Sequence, residues 1–238
     1  KAFLASEGGV LVDADYSQIE LRVLAALSDD KEMLDAFKHG LDIHRKTASE
    51  VFHVDYDEVD DRQRYEAKAV NFGIVYGISD YGLSQNLNIP RKAAKEYIDN
   101  YLGHFVGIKD YMAEEIKNGK DKGYVETIFK RRRYIPELNA KNFNIRSFGE
   151  RIALNTPIQG SAADIIKIAM VKVYNELKKR NLKSKLIIQI HDELVVDTAK
   201  DEIEEVKELM KDLMENSVDL NVKLSVDMNT GANLYESK

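Results

Sequence analysis

The 238-residue sequence contains no cysteine and only three prolines. The absence of cysteine excludes disulfides and thiolate metal sites, and it fits a reducing cytoplasm. The scarcity of proline excludes long rigid linkers of the proline-rich kind. No apolar run is long enough to cross a bilayer and no signal peptide is evident, so we expect no membrane association.

Hydrophobic residues make up 44% of the sequence and are well mixed with charged residues, which predicts a folded core. The length allows one large domain or two small ones. The net charge of −6 argues weakly against a nucleic-acid partner, but local patches of charge decide such binding. The acidic residues concentrate in 29–32, 55–61 and 201–215, which we interpret as solvated faces.

A carboxylate stands at a predicted junction between a strand and a helix near the start of the chain. The apolar run Gly9–Val12 predicts a strand, and a helical pattern follows Ser17, which we expect to cap the helix together with Glu20. Asp15 lies at this turn, where a rigidly held carboxylate suits a hard cation such as magnesium. Simple capping of the helix by Asp15 is an equally good interpretation at this point.

A second acidic group stands between two predicted strands, Ser184–Ile190 and Leu194–Asp197. The intervening His191-Asp192-Glu193 is short enough for a tight hairpin turn, and its two acids repel each other unless a cation neutralises them. A polar surface turn is the simpler interpretation. If Asp192 meets Asp15, the two form a two-metal carboxylate site of the kind used for phosphoryl transfer, but spacing alone does not show that they meet.

The third pattern lies on a helix predicted over 60–76. Arg64, Lys68, Phe72 and Tyr76 recur every four residues, so they share one face of the helix. Cations suit phosphate oxygens, and aromatic rings suit a base or a sugar. By itself, a basic surface helix with both aromatic residues in the core is the more common explanation.

Predicted strands lie at both ends of the chain, and a predicted helical block lies between them. We predict helices over 17–27, 31–38, 44–52, 79–87, 91–105, 108–118, 144–154, 162–179 and 201–214, and strands over 124–129, 132–135 and 223–227. Pro157 is expected to break the helical pattern that surrounds it.

The three segments resemble motifs A, B and C of the family A DNA polymerases, the bacterial DNA polymerase I family. Asp15–Arg22 resembles motif A, Arg64–Gly77 motif B and His191–Val195 motif C, in the order found in the family. Further similar stretches are 42–44, 123–127, 131–136 and 155–160. The resemblance implies an α+β fold with an antiparallel palm sheet and a helical fingers subdomain, the thumb and exonuclease domains being absent. Residues 1–30 and 145–238 would form the palm, and 31–144 mainly the fingers.

The resemblance also implies a role for each matching residue. Asp15 and Asp192 would hold two magnesium ions, the Tyr16 carbonyl would be a further ligand, and Glu193 would lie beside the metals. Lys68 would contact the incoming phosphates and donate a proton to the pyrophosphate. The residues implied to bind the nucleotide are Gln18, Glu20, His44, Arg64, Lys68, Phe72 and Tyr76, with Glu20 as the steric gate against a ribose 2′-hydroxyl. The residues implied to contact DNA are Arg131, Arg132, Arg151, Asn155, Gln159 and His191.

The implied activity is template-directed DNA synthesis on a primer–template with dNTPs and magnesium, by a monomer in the cytoplasm. Three alternatives stay open: a fragment that binds nucleic acid without activity, a related single-subunit RNA polymerase, and a template-independent metal phosphohydrolase. One departure from the family pattern is Tyr65-Glu66 in motif B, which places an acid on this helix that we expect on its outer face.

Overall fold

A computed structural model describes residues 3–237 and divides them into two compact units. The sheet unit contains residues 3–19 and 162–237, and the helical unit contains residues 20–161. The strands are β1 Gly9–Tyr16, β2 Tyr124–Glu126, β3 Arg132–Tyr134, β4 Lys185–Ile190, β5 Glu193–Ala199 and β6 Val226–Gly231. The helices are α1 Ile19–Ser28, α2 Lys31–Lys38, α3 Ile43–Phe52, α4 Asp61–Val75, α5 Asp80–Leu87, α6 Arg91–His104, α7 Val106–Lys122, α8 Phe143–Lys179 and α9 Ile203–Glu215.

The sheet unit is built on a four-stranded antiparallel sheet in the order β4-β5-β1-β6. Both central strands are buried along most of their length, as the fully buried Leu11 and Val12 of β1 and Val195 and Val196 of β5 show. The apolar residues of each strand stand next to each other, at 10–12 in β1 and 194–196 in β5, and acidic residues follow toward the strand ends. Antiparallel pairing of β1 on both sides confirms the predicted α+β class.

In the helical unit, acidic and hydroxyl side chains begin the helices. Asp30, Asp42, Asp60 and Ser79 each accept backbone N–H groups at the start of α2, α3, α4 and α5. Each side chain satisfies donors that have no partner inside the helix. Asp30 also accepts the N–H of Gly107, and it is buried, so the prediction that the acidic run around it is a solvated face is wrong here.

Pro157 does not break its helix, contrary to the prediction. Helix α8 continues through it, and Pro157 itself is buried. Ala153, one turn before the proline, packs in a core cluster with Val125, Ile135 and Leu138. Ser161, one turn after it, donates its hydroxyl to the Pro157 carbonyl. Packing on both sides of the proline holds the helix and outweighs the one hydrogen bond that proline cannot donate.

Two smaller expectations are also corrected. Helix α1 begins at Ile19, after Gln18 with a positive φ of 55°, and Ser17 donates its backbone N–H to the Ser225 carbonyl; capping of α1 by Ser17 and Glu20 stays a prediction. The last strand lies at 226–231, later than predicted. Glu66 is buried rather than on the outer face of its helix, and Arg62 and Tyr97 both donate to its carboxylate.

No helix within residues 3–237 combines the length and the apolar character that crossing a membrane requires.

Glu202 connects two loops of the sheet unit through one buried carboxylate. It accepts the backbone N–H of Lys183 at 2.9 Å and both the N–H and the hydroxyl of Ser184, at 3.0 and 2.6 Å. The Ser184 hydroxyl in turn accepts the N–H of Ala199 at 3.1 Å. The segment before β4 is therefore held against the end of β5, and Glu202 is not the solvated acid that its charged surroundings in the sequence indicated.

We expect Glu202→Ala to lower the free energy of unfolding by about 3 kcal/mol, because it leaves buried donors without an acceptor. Urea unfolding followed by circular dichroism measures the change. The control is Glu204→Ala, at a neighbouring exposed position, where we expect a change within about 0.5 kcal/mol. Equal effects of the two substitutions would show that the Glu202 contacts do not stabilise this unit.

Candidate active site

Several acidic residues meet at one end of the central sheet. Asp15 on β1 lies opposite Glu193 on β5 and opposite Asp227 on β6. Residues that face each other on neighbouring strands place their side chains on the same face of the sheet. Asp192 directly precedes Glu193, and its carbonyl accepts the backbone N–H of Tyr16 at 3.2 Å. The fold therefore brings Asp15 and Asp192 to adjacent positions, the condition that the sequence left open.

The turn that carries Asp192 has the geometry of a two-residue hairpin. Strand β4 ends at Ile190 and β5 begins at Glu193, so His191 and Asp192 alone connect them. His191 has a positive φ of 49°, which primed hairpin turns require at their first central residue. The side chain of Gln189 donates to the His191 carbonyl at 2.6 Å and ties the turn to the strand.

The Tyr16 side chain anchors the strand end that carries Asp15. Its hydroxyl lies 2.7 Å from the Met214 carbonyl and 3.0 Å from the Ser217 hydroxyl, at the end of α9. Burial of the ring raises the pKa of Tyr16 to about 12, so the hydroxyl remains a neutral donor. Lys172 donates to the carbonyls of Asn216 and Ser217 and strengthens the same junction. These bonds fix the backbone at the Tyr16 carbonyl, an oxygen next to Asp15.

The donor set at this edge fits a metal that arrives with a phosphate substrate. No group of three or more histidine or acidic side chains within residues 3–237 is arranged to hold a metal by itself. Magnesium is usually bound by one or two carboxylates, with substrate phosphates and water completing its octahedron. The adjacent residues Asp15 and Asp192, with the backbone carbonyl of Tyr16, supply that partial set of hard oxygen ligands.

In the helical unit, α4 turns its cations and aromatic rings away from the core. Lys68 and Tyr76 are exposed, whereas Arg64 and Phe72 are half-buried. The opposite face contributes Ala67, Val70, Asn71 and Ile74 to the interior. The alternative in which both aromatic residues serve the core is therefore wrong, because Tyr76 is exposed and Phe72 is only half-buried.

The guanidinium of Arg64 is held in place by the first turn of α3. Its Nε donates to Asp42 Oδ2 at 2.7 Å, while Asp42 Oδ1 accepts the backbone N–H groups of His44 and Arg45. Partial burial alone would raise the pKa of Asp42, but these bonds outweigh it and lower the pKa below its ordinary value. Asp42 thus stays ionised and orients a cation whose remaining N–H groups can bind a phosphate.

A cleft with a volume of about 420 Å³ opens beside the aromatic end of α4. Its lining comprises Ala69, Phe72, Gly73, Tyr76, Ile78, Ser79, Gly82, Asn86 and Arg151. Gly73 is required for close packing, because a Cβ there would lie 2.7 Å from the Ile78 side chain. The Tyr76 hydroxyl donates to Glu20 Oε2 at 3.0 Å, so the two side chains implied to surround the sugar and the base contact each other.

His44 lies in a buried polar network behind the Arg64 cation. Its Nδ1 is 3.1 Å from Asn71 Nδ2, and Asn71 Oδ1 is 3.1 Å from the Thr47 hydroxyl. Burial, together with the nearby charges of Arg64 and Lys68, lowers the pKa of His44 to about 4, although Asp42 opposes the shift. The imidazole is therefore neutral at pH 7.

The residues implied to contact DNA are partly engaged in contacts within the chain. Arg131 donates to the Gly160 carbonyl, and Arg132 pairs with Glu126 at 2.9 Å. Asn155 donates to Gln159 Oε1 at 3.3 Å, one turn further along α8. Their roles on DNA, like that of Arg151, stay predictions, because hydrogen bonds to protein atoms can be exchanged for bonds to a ligand.

Sequence reasoning missed several residues that shape these sites. Asn71 and Thr47 behave as apolar positions in the helical pattern, and Asp42 stood only inside a family-like stretch. Asp227 was placed at the end of a predicted strand over 223–227, whereas the strand lies at 226–231 and pairs Asp227 with Asp15. A polar residue at a core position of a helix is the one signal that could have drawn attention to Asn71, because buried amides need partners.

Comparison with known proteins gives a consistent result. A family model for DNA polymerase family A matches residues 1–236. DNA polymerase I of Bacillus subtilis (strain 168) is 56% identical over 239 aligned residues, and the protein of that name from Geobacillus stearothermophilus is 52% identical. Both alignments cover 100% of this chain but only 27% of the relative, so the chain spans about a quarter of the length of these relatives.

A solved structure is similar over nearly the whole chain. It is the polymerase domain of Pol1 from M. smegmatis in complex with DNA primer–template and dNTP. The TM-score is 0.95 at 41% sequence identity, and the match covers 99% of this chain and 42% of that one. The similarity in fold confirms the mixed architecture with its antiparallel sheet.

The neutral state of His44 predicts an acid-dependent loss of stability. The pKa of His44 is lower in the folded chain than in the unfolded chain. The stability that depends on a neutral His44 is therefore complete above pH 6.5 and is lost as the pH falls toward 4. Between pH 7 and pH 5 we expect the free energy of unfolding of the unaltered chain to fall by about 2 kcal/mol more than that of His44→Gln, because glutamine cannot be protonated. Urea unfolding of both proteins at the two pH values measures the difference, and parallel pH profiles would contradict it.

Proposed function

Because the chain belongs to DNA polymerase family A, we propose that it carries the catalytic residues for template-directed DNA synthesis, the transfer of a nucleotide from a dNTP to a primer 3′-hydroxyl. The observation that carries this proposal is the adjacency of Asp15 and Asp192 at the end of the sheet. The similar M. smegmatis structure, a complex with primer–template and dNTP, supports the substrate class.

Asp15, Asp192 and the Tyr16 carbonyl would hold two magnesium ions, with Glu193 beside them. When bound, such ions neutralise the charge of the triphosphate and make the primer hydroxyl a better nucleophile. The protein contributes rigid placement, since the Tyr16 anchor and the strand pairing fix the ligand atoms before the substrate arrives. Glu193, paired directly with Asp15, adds negative charge that favours cations at this edge.

The outward face of α4 would bind the nucleotide. Lys68, which is exposed, and Arg64, which Asp42 orients, suit the phosphate oxygens, and Lys68 can donate a proton to the leaving pyrophosphate. Phe72 and Tyr76 border the cleft and would stack against the sugar and a base. Gln18 and His44 would complete the contacts to the triphosphate.

The DNA duplex would be contacted through its minor groove and its phosphates. Arg151, Asn155, Gln159 and His191 offer hydrogen-bond donors, which suit the acceptors that every base pair presents in the minor groove. Arg131 and Arg132 would contact backbone phosphates. In terms of the subdomains of family A polymerases, the sheet unit would correspond to the palm and the helical unit mainly to the fingers. A cytoplasmic location and a monomeric state stay predictions.

Extension of a labelled primer–template by one matched nucleotide tests the proposal. We expect extension with magnesium that falls at least ~1,000-fold in Asp192→Ala, because a metal ligand is lost. The assay is run with this chain and with a chimera in which the chain replaces the matching segment of Bacillus subtilis DNA polymerase I, which is 56% identical to it.

Asp219→Ala, at an exposed position of the same unit, is the control and should leave extension unchanged. Activity of the chimera but not of the isolated chain would show that this chain carries the catalytic residues and that extension also needs the parts of the relative outside it. An inactive chimera that folds and binds DNA would contradict the proposal, and template-independent release of phosphate would favour a phosphohydrolase.

The proposed role of Glu20 as a steric gate predicts that the site selects deoxynucleotides over ribonucleotides. Removal of its side chain in Glu20→Ala opens the space beside Tyr76, so we expect incorporation of a ribonucleotide to rise by about 100-fold relative to the deoxynucleotide. The ratio of kcat/KM for the two substrates measures it. Tyr76→Phe, which removes only the hydroxyl bonded to Glu20, separates the hydrogen bond from the steric effect. An unchanged ratio in Glu20→Ala would exclude the gate.

A further inference from the structure

Asn71 and Thr47, which form a hydrogen-bonded network with the proposed phosphate ligand His44, have no assigned part in the site described above. All three side chains are buried: Thr47 and Asn71 are 0% exposed and His44 is 3% exposed. Buried polar groups of this kind are hydrogen-bonded to each other because water cannot serve them. The network joins α3 to α4, directly behind Phe72, whose ring centroid is 5.8 Å from that of His44.

The chain of donors and acceptors runs in one direction. The Thr47 hydroxyl donates to Asn71 Oδ1 at 3.1 Å, which leaves the Asn71 amide nitrogen as a donor toward His44 Nδ1, also at 3.1 Å. A nitrogen that accepts from an amide carries no proton. A neutral imidazole has a single N–H, so the proton of His44 is on Nε2. Within residues 3–237, Nε2 has no hydrogen-bond partner, so this donor is available to a ligand.

We propose that Asn71 is a positioning residue that fixes His44 as the Nε2–H tautomer, so that a neutral donor is presented to a phosphate oxygen of the incoming nucleotide. The inference rests on the proposed function. The opposite tautomer would direct a lone pair at the phosphate, and the two negative surfaces would repel each other. Thr47 orients Asn71 in turn, so the chemical state of His44 is set by two side chains that touch no substrate.

A neutral donor has a particular use at this position. The charged groups that act on His44 are Asp42 at the start of α3 and Arg64 and Lys68 on α4. Because the two cations already supply charge, a neutral N–H adds direction to the phosphate site without a further charge to bury. The tautomer therefore decides whether His44 helps or hinders binding, whatever the pH above its titration.

The tautomer can be observed directly by NMR of the full chain with ¹⁵N-labelled histidine. At pH 7 we expect Nδ1 of His44 to resonate as an unprotonated nitrogen and Nε2 as a protonated one, with the Nε2 resonance shifting on addition of dATP and magnesium. In Asn71→Asp the new carboxylate can only accept a hydrogen bond, so it favours a protonated Nδ1 of His44, and the spectrum should change to the opposite tautomer or to the doubly protonated ring. A protonated Nδ1 in the unaltered chain would overturn the inference.

Steady-state primer extension by the chimera described above tests the consequence. We expect Asn71→Leu to raise KM for the dNTP about tenfold with kcat within about twofold, since the donor is no longer oriented. Thr47→Val should give a smaller change in the same direction. In the His44→Gln background, the glutamine amide supplies a donor that does not depend on Asn71, so adding Asn71→Leu should have no further effect.

Asn100→Leu is the matched control, because it removes an asparagine of the same unit that donates to the Val51 carbonyl away from His44. It should leave KM unchanged even if it lowers Tm. An equal rise in KM for Asn71→Leu with and without His44→Gln would overturn the inference by showing a purely structural effect. Absence of extension in the unaltered chimera would refute the proposed function instead, while the NMR result would still decide the tautomer.

Discussion

The pairing of β1 between β5 and β6 is the constraint on which the acidic site depends. Asp15 and Asp192 are far apart in the sequence, and only the antiparallel register of β1 with β5 makes them neighbours. A slip of one residue would turn Asp15 to the opposite face of the sheet. The register is protected because Leu11, Val12 and Ala14 are fully buried, and a slip would also exchange their environments.

Helix α4 performs two tasks because its two faces have different surroundings. One face packs Ala67, Val70 and Ile74 into the interior of the helical unit, and the other holds the cations and aromatic rings proposed for the nucleotide. Asn71 lies on the packed face, yet it acts on the opposite one through His44. A buried amide is costly unless both its ends are bonded, so its presence among apolar residues marks a precise orientation more than added stability.

Electrostatics in the helical unit is arranged by short-range bonds. Asp42 caps α3 with one oxygen and holds Arg64 with the other, so the same carboxylate starts a helix and orients a proposed phosphate ligand. Burial, together with this cation and Lys68, lowers the pKa of the neighbouring His44 and keeps the imidazole neutral at pH 7. In the sheet unit, the Tyr16 hydroxyl and Lys172 meet the carbonyls at the end of α9, where the helix dipole favours donors and positive charge.

The sequence by itself determined the class of the fold, the existence of nearly all helices and strands, and the motifs that carry Asp15, Arg64, Lys68 and Asp192. These follow from local periodicity and short motifs, which neighbouring residues encode. Tertiary structure alone decided the meeting of Asp15 with Asp192, the burial of Glu66 and Glu202, the continuation of α8 through Pro157, and the partners of Asn71. Each of these depends on contacts between distant segments, whose packing and hydrogen bonds outweigh local preference and leave no periodic trace in the sequence.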